Sequence, residues 1–121
     1  MSYAEAPLYV RTYDLTRELL HRTARFPRSY RASLGARLQQ ASLSLTEAIM
    51  VALLHPRERE RALADADRAL LGVRLALRLA GDLGVVDEPH AGRLGQDVAA
   101  IGRMLGGWRR DPKLETAPSA R

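Results

Sequence analysis

Apolar residues recur along this chain at the spacing of amphipathic helices. Side chains three, four and seven positions apart lie on one face of a helix, so heptad-spaced apolar residues mark a buried side. Prolines and capping residues interrupt the pattern at Phe26-Pro27, His55-Pro56 and Asp87-Glu88-Pro89, and Gly84 suits a helix C-cap. The pattern predicts four helices, over residues 7–25, 29–54, 56 to 81 or 82, and 87–108.

Each predicted helix has a heptad-spaced seam that should face a common core. The seam residues, helix by helix, are Tyr9, Tyr13, Thr16 and Leu20; Leu34, Leu38, Ala41, Leu45, Ala48 and Ala52; Leu63, Ala66, Leu70, Val73, Leu77 and Ala80; and Leu94, Val98, Ile101, Leu105 and Trp108. Short links join the helices, so neighbours should run antiparallel. The sequence therefore predicts an all-α, up-down-up-down antiparallel four-helix bundle over residues 1–110, with a disordered tail over 111–121.

Two of the predicted helices carry a second face that a monomer does not need. The third has three leucines, four positions apart, outside its main seam. The fourth has glycines and an alanine at steps of three and four, although each glycine costs about 0.5–1 kcal/mol relative to alanine in a helix. Close approach of another backbone or another chain would explain such a smooth face. We therefore predict a homo-oligomer whose interface includes Leu71, Leu75, Leu79, Gly95, Gly102 and Gly106.

The charge of the chain favours a polyanionic partner. The net charge of the 121 residues is +5, and the cations are 18 arginines and one lysine. Arginine binds phosphate bidentately, although a GC-rich genome would raise the arginine content by itself. Arg25, Arg28 and Arg31 surround the Pro27 corner and Arg37 follows, with no acid between them. This cluster predicts backbone-driven RNA or DNA binding, and a solvated corner is the alternative interpretation.

The sequence predicts neither an enzyme nor a metal or cofactor site. There is no cysteine, and the three histidines lie in different elements. A di-iron bundle needs two Glu-x-x-His motifs, and only Glu18-Leu-Leu-His21 has this spacing inside a helix. No nucleophile elbow and no glycine-rich loop after a strand occurs. We expect no catalytic residue, no metal and no cofactor.

Targeting and membrane signals are also missing from the sequence. The N-terminus has no apolar signal-peptide core, and charged residues interrupt each long apolar stretch, as Glu47, Arg74 and Arg78 do. We therefore expect a cytoplasmic protein with no membrane segment.

Several short motifs together resemble a known family. They are Arg11-Thr12-Tyr13-Asp14-Leu15, Phe26-Pro27-Arg28-Ser29, Leu34-Gly35-Ala36-Arg37-Leu38-Gln39, Arg74-Leu75-Ala76-Leu77-Arg78-Leu79 and Ile101–Trp108. In this order, over roughly residues 9–110, the chain resembles the accessory variability determinant of bacterial diversity-generating retroelements. That family lies within a four-helix-bundle group that includes the products of ribosomal RNA intervening sequences. The Gly-Arg-Met-Leu-Gly-Gly-Trp ending favours the retroelement branch.

The resemblance implies a non-catalytic bacterial protein that assembles into a ring-like, barrel-shaped homopentamer. Such a protein would bind the retroelement's reverse transcriptase and its template RNA, and support complementary-DNA synthesis and mutagenic retrohoming. The family's positive positions often carry lysine where this chain has arginine, so the charge is kept. With the corner cluster, the candidate nucleic-acid contacts are Arg11, Arg25, Arg28, Arg31, Arg37, Arg74, Arg78 and Arg103. Arg74 and Arg78 could instead lie in a subunit interface.

Two other interpretations of the sequence stay open. One is a bundle of the intervening-sequence type that binds RNA or a protein without any reverse transcriptase. The other is a purely structural protein-interaction module. The sequence does not decide between RNA and DNA, nor which surface meets the enzyme.

Overall fold

The computed structural model describes residues 3–111, which are all-helical and contain no strand. Four helices of 17 to 24 residues dominate: α1 (Pro7–Thr23), α2 (Ala36–Leu54), α3 (Arg59–Asp82) and α4 (Glu88–Arg110). Short helical turns lie before α1, α2 and α3, at Tyr3–Glu5, Arg28–Tyr30, Arg31–Gly35 and Pro56–Glu58. The predicted all-α four-helix bundle is confirmed. The predicted tail, apart from Asp111, lies outside the described residues.

The core is formed by apolar rows from all four helices. In α2, α3 and α4 the predicted seams are buried, apart from Leu34 in the turn before α2, which is half-buried. Trp108 is the largest fully buried side chain. The heptad pattern therefore located the core of these three helices correctly, because their apolar rows are continuous in the sequence.

The seam predicted for α1 is wrong at Tyr13 and Leu20, although Thr16 is buried and Tyr9 packs against the core. Tyr13 is 48% exposed and Leu20 is 36% exposed, whereas Leu8, Leu15 and Leu19 are buried. The buried face of α1 is completed by threonines rather than by aromatic residues. The helix is therefore rotated about its axis relative to the predicted seam, and this rotation leaves an apolar row on the surface.

Buried hydroxyl groups hold α1 in this rotation against α2. The Thr16 Oγ1 lies 2.9 Å from the Ser42 carbonyl oxygen, to which it donates, and 2.7 Å from the Thr46 Oγ1. The Thr46 Oγ1 donates to the Thr12 carbonyl oxygen at 3.1 Å. Since a buried hydroxyl without a partner costs about 1–3 kcal/mol, these hydrogen bonds are a condition for burying the threonine face.

The connection between α3 and α4 uses the capping residues expected from the sequence. Gly84 has a φ of 74°, the left-handed conformation that glycine adopts without strain. The Val85 backbone amide donates to the Ala80 carbonyl oxygen at 2.9 Å, which closes the end of α3. Asp87 caps α4, because its Oδ1 accepts from the His90 backbone amide at 3.0 Å.

At the other end of the bundle, Arg59 joins three helices. Its guanidinium carbon lies 5.4 Å from the centroid of the buried Trp108 ring of α4. Its Nε donates to the Ala52 carbonyl oxygen near the end of α2 at 3.0 Å. This arginine, which begins α3, is therefore a packing residue as well as a cation.

Ion pairs connect α4 to its two neighbours. The helix α4 packs against α1 and α3, and α2 packs against the same two helices. Arg109 on α4 donates to Asp67 on α3 at 3.1 Å, and Arg93 on α4 donates to the Glu18 Oε1 on α1 at 3.1 Å.

The hydrogen bond from Arg93 is the main cause that lowers the pKa of Glu18 from 4.5 to about 2. Burial opposes this shift and Arg22 adds to it.

We expect the Glu18 pair to make the bundle sensitive to acid. Because the folded-state pKa is lowered from 4.5 to about 2, the stabilisation is complete above the higher value and is lost as the pH falls towards the lower one. Glu18→Gln should lower the free energy of unfolding at pH 7 by about 1–2 kcal/mol, a figure reduced for solvent screening. Urea unfolding over a pH series measures both effects.

The matched control for this prediction is Asp65→Asn, which removes an exposed carboxylate 3.9 Å from Arg61. Exposed pairs contribute little to stability, so this variant should keep the acid dependence of the parent protein. A Glu18→Gln protein with an unchanged acid dependence would contradict the assignment.

Candidate functional site

The basic corner between α1 and α2 is built around a buried phenylalanine. Phe26 is buried, and its backbone amide donates to the Thr23 carbonyl oxygen at 3.2 Å. The Tyr30 amide then donates to the Pro27 carbonyl oxygen at 2.8 Å, so the chain turns at once into the next helical segment. A β-carbon on the buried Gly35 would lie 3.6 Å from the Phe26 ring. The corner is therefore a packed part of the fold.

The four corner arginines have different roles. The Nε and Nη2 of Arg31 both donate to the Phe26 carbonyl oxygen, at 3.3 and 3.2 Å, so this side chain stabilises the turn. Arg25, Arg28 and Arg37 are exposed and form no ion pair with any residue that the structure describes. Arg37 extends towards α3, since a β-carbon on Gly72 would lie 4.0 Å from its Nε. Three unpaired guanidinium groups thus remain for a ligand.

Aromatic stacking adds little to this corner. Phe26 is in the core and Tyr30 is half-buried. Single-strand binders that read bases usually stack them on exposed rings. The corner is therefore suited to contacts with a phosphate backbone, which position a nucleic acid without reading its sequence.

The other candidate arginines lie elsewhere on the bundle. Arg11 lies twelve residues before Thr23, where α1 ends next to the corner, which is about 18 Å at 1.5 Å per residue. Arg74 lies over α4, because a β-carbon on Gly102 would be 3.2 Å from its Nη2, and Arg103 is the next residue of α4. Arg78 is paired with Asp82, Nε to Oδ2, at 3.5 Å. The eight predicted arginines therefore do not form one continuous patch.

The three leucines outside the seam of α3 form an exposed ridge, here called the leucine stripe. Leu71, Leu75 and Leu79 are 57%, 59% and 41% exposed. Arg74 and Arg78 lie between the stripe and the neighbouring α4. Large exposed apolar ridges of this kind are typical of interaction surfaces.

The predicted glycine face of α4 has several explanations. Gly102 makes room for Arg74 and Leu70 of α3 within the same chain. A β-carbon on Gly106 would lie 3.3 Å from Arg110 of its own helix, and one on Gly95 would meet no atom within 4 Å. Gly95 therefore remains open for another chain, while the need for Gly102 is met inside the protomer.

A second apolar surface, which the sequence patterns did not reveal, lies between α1 and α2. It is an open groove of about 1250 Å³, here called the α1–α2 groove. Its apolar lining consists of Tyr9, Tyr13, Leu20, Leu43 and Met50. Its ionisable lining consists of Asp14, Arg17, Glu18, His21 and Glu47. Two features of the sequence point to this groove. Leu43 and Met50 are seven residues apart outside the α2 seam. Tyr13 and Leu20 are seven residues apart on α1, where the heptad pattern assigned them to the core.

The half di-iron motif does not assemble into a metal site. Glu18 is bound by Arg22 and Arg93, and His21 is exposed. Within residues 3–111, no group of three or more histidine, cysteine, aspartate or glutamate side chains could hold a metal ion.

A helix that crosses a bilayer must be both long and strongly apolar. Between residues 3 and 111, no helix combines the length and the hydropathy needed to cross a bilayer.

Comparison with known proteins gives one family. No curated protein matches the sequence. A family model described as bAvd-like matches residues 8–111, which include all four long helices, and this confirms the resemblance carried by the motifs. The chain belongs to the bAvd-like family.

Proposed function

We propose that this protein is a non-enzymatic accessory protein of a bacterial diversity-generating retroelement. It binds the element's reverse transcriptase and template RNA in the cytoplasm, and so supports mutagenic complementary-DNA synthesis and retrohoming. The observation that carries this proposal is the family match over residues 8–111, since proteins of the Avd-like kind are accessory and non-catalytic. DNA is a second possible ligand, because phosphate contacts do not by themselves distinguish the two nucleic acids.

The proposed topology is up-down-up-down with antiparallel neighbours. It is supported by contacts whose residue numbers rise on one helix and fall on the next. Thr23 of α1 accepts from Gln39 of α2 at 2.9 Å, while Thr12 accepts from Thr46 at 3.1 Å. Between α3 and α4, Gly81 is close to Ala91, and Asp67 is paired with Arg109. In this topology α1, α2, α3 and α4 follow one another around the bundle. The proposed bundle domain extends over residues 1–110.

The RNA surface in this proposal is centred on the basic corner. Arg25, Arg28 and Arg37 are exposed and free of ion pairs with the described residues, so their charges are available to phosphates. Each phosphate contact releases counterions, and binding then weakens steeply with salt. Arg11 and Arg103 are further candidates, through their match to the family's positive positions.

The proposed assembly is a homopentamer whose subunits meet through the leucine stripe, with Gly95 open beside it. Burying an exposed leucine fully contributes about 1.5–3 kcal/mol, so three leucines supply a large share of a subunit contact. The number five follows from the family resemblance. The interface follows from the exposure of Leu71, Leu75 and Leu79.

The first test of the function is light-scattering mass, measured for the protein alone and with the reverse transcriptase encoded beside it. We expect a mass near five subunits and co-elution of the enzyme. A stable monomer that leaves the enzyme unbound would overturn the retroelement proposal. An assembled protein that binds RNA but no enzyme would indicate the intervening-sequence type instead.

Leu75→Glu should dissociate the assembly while leaving helicity intact. The substitution places a charge in a contact that excludes water, yet the side chain is exposed in the single bundle. Light scattering measures the mass, and circular dichroism checks the fold. Leu54→Glu is the matched control, since Leu54 is 50% exposed at the end of α2, outside the stripe. A fully assembled Leu75→Glu protein would remove the stripe from the interface.

Replacing Arg25, Arg28 and Arg37 by glutamine should weaken RNA binding and flatten its salt dependence. With about 0.7 counterions released per single-strand phosphate contact, the log–log slope should fall by about 2. Binding of the template RNA by fluorescence anisotropy at several salt concentrations measures this slope. The control replaces Arg57, Arg61 and Arg110 by glutamine. This gives the same net charge, but the changes lie at the opposite end of the bundle. Equal losses in both variants would show that total charge, and not the corner, determines binding.

A further inference from the structure

The molecule has two exposed apolar surfaces on different elements, and they have complementary shapes. The leucine stripe is a ridge of side chains four residues apart, which spans about 12 Å from Leu71 to Leu79 at 1.5 Å per residue. The α1–α2 groove is a trough between two helices. Its apolar rows, from Tyr13 to Leu20 and from Leu43 to Met50, each span about 10.5 Å. Ridges formed by residues four apart pack into grooves of this kind.

The charges of the two surfaces are also complementary. Without Glu18, the α1–α2 groove is still acidic in a chain of net charge +5, since Asp14 and Glu47 outnumber Arg17. Glu18 is already bound by Arg22 and Arg93. Asp14 and Glu47 form no ion pair with residues 3–111. The leucine stripe is flanked by Arg74 and by Arg78, whose exposed side chain is paired with Asp82 at 3.5 Å. An acidic trough and a ridge with arginines at its side attract each other and set the orientation of a contact.

The same charges disfavour the simplest alternative, in which two copies join stripe to stripe. That symmetric contact would bring Arg74 and Arg78 of both copies towards one another. Like charges that face each other across an interface weaken binding by several kcal/mol, which favours other partners. It would also leave the acidic α1–α2 groove uncovered.

We propose that the leucine stripe of one subunit docks into the α1–α2 groove of a second copy of the chain. This rests on the oligomer of the proposed function and specifies its contact as head-to-tail. A contact between two different surfaces repeats from copy to copy, and it produces a ring when the rotation closes. It also assigns Arg74 and Arg78 to the subunit interface, beside Asp14 and Glu47 of the neighbour, and leaves the corner arginines for RNA.

The test uses two variants that each destroy one surface. Leu75→Glu removes the stripe and keeps the groove, while Leu43→Glu removes the groove and keeps the stripe. Leu43 is 47% exposed, so this change should leave the fold intact. Leu20→Glu on the opposite wall is a second groove variant, and Leu54→Glu is the control at an exposed leucine outside both surfaces.

We expect each variant alone to sediment as a monomer over a concentration series, and the control to assemble like the parent chain. An equimolar mixture of Leu75→Glu and Leu43→Glu should form a dimer of twice the monomer mass, and nothing larger. In that mixture the one intact stripe meets the one intact groove, which cannot happen in a stripe-to-stripe assembly.

Any other result contradicts the head-to-tail contact, the oligomer or both. If Leu43→Glu and Leu20→Glu both assemble fully, or if the mixture stays monomeric, the head-to-tail contact is wrong even when the parent chain is an oligomer. If the parent chain itself is a monomer, the proposed oligomer fails together with this contact. RNA binding by the monomeric variants, measured by anisotropy, tests the basic corner separately, because these variants keep Arg25, Arg28 and Arg37.

Discussion

The rotation of α1 about its own axis depends on the hydrogen bonds that the Thr16 and Thr46 hydroxyls donate to the carbonyl oxygens of Ser42 and Thr12. This helix has few aliphatic residues, and half of its buried face is threonine. A hydroxyl can replace a methyl group in a core only where it finds a partner, and here two of the partners are backbone carbonyls of the facing helices. The polar interaction thus selects which side of α1 is buried, and the surface of the bundle follows from that choice.

With α1 held in this orientation, its two flanks face different helices, and Glu18 lines the α1–α2 groove while also reaching α4. One flank turns Glu18 towards α4, where Arg93 lowers the pKa of the carboxyl group and links the first helix to the last. The other flank turns Tyr13 and Leu20 outward beside α2, where they line the α1–α2 groove. A rotation that buried Tyr13 would remove this groove and separate Glu18 from Arg93. Core packing and surface chemistry are therefore consequences of the same contact.

The fold was predictable from the sequence where burial is purely apolar. The rows through Leu70, Val73 and Ile101 are continuous, so their heptad spacing located the core of α3 and α4. On α1 the pattern found Thr16 but placed Tyr13 and Leu20 in the core instead of Thr12 and Thr23, because hydropathy does not show that a threonine hydroxyl has a buried partner. The corner cluster could be read from spacing, but Arg31 could not be separated from Arg28, since the Phe26 carbonyl that binds it is revealed only by the turn geometry.

Arginine therefore has three different physical roles in this chain, and the net charge of +5 does not reveal them. Arg59 lies over the ring of Trp108 and supports the core. Arg74 lies over Gly102 beside the leucine stripe, where our proposed subunit contact would use it. Arg25 and Arg28 have no ion-pair partner among the described residues, so their charge is not neutralised by the fold. A guanidinium that is already bound has little attraction left for phosphate. The proposed surface for a polyanion is thus found by removing the bound arginines first. Among those that remain, Arg25, Arg28 and Arg37 lie together at the corner around Pro27.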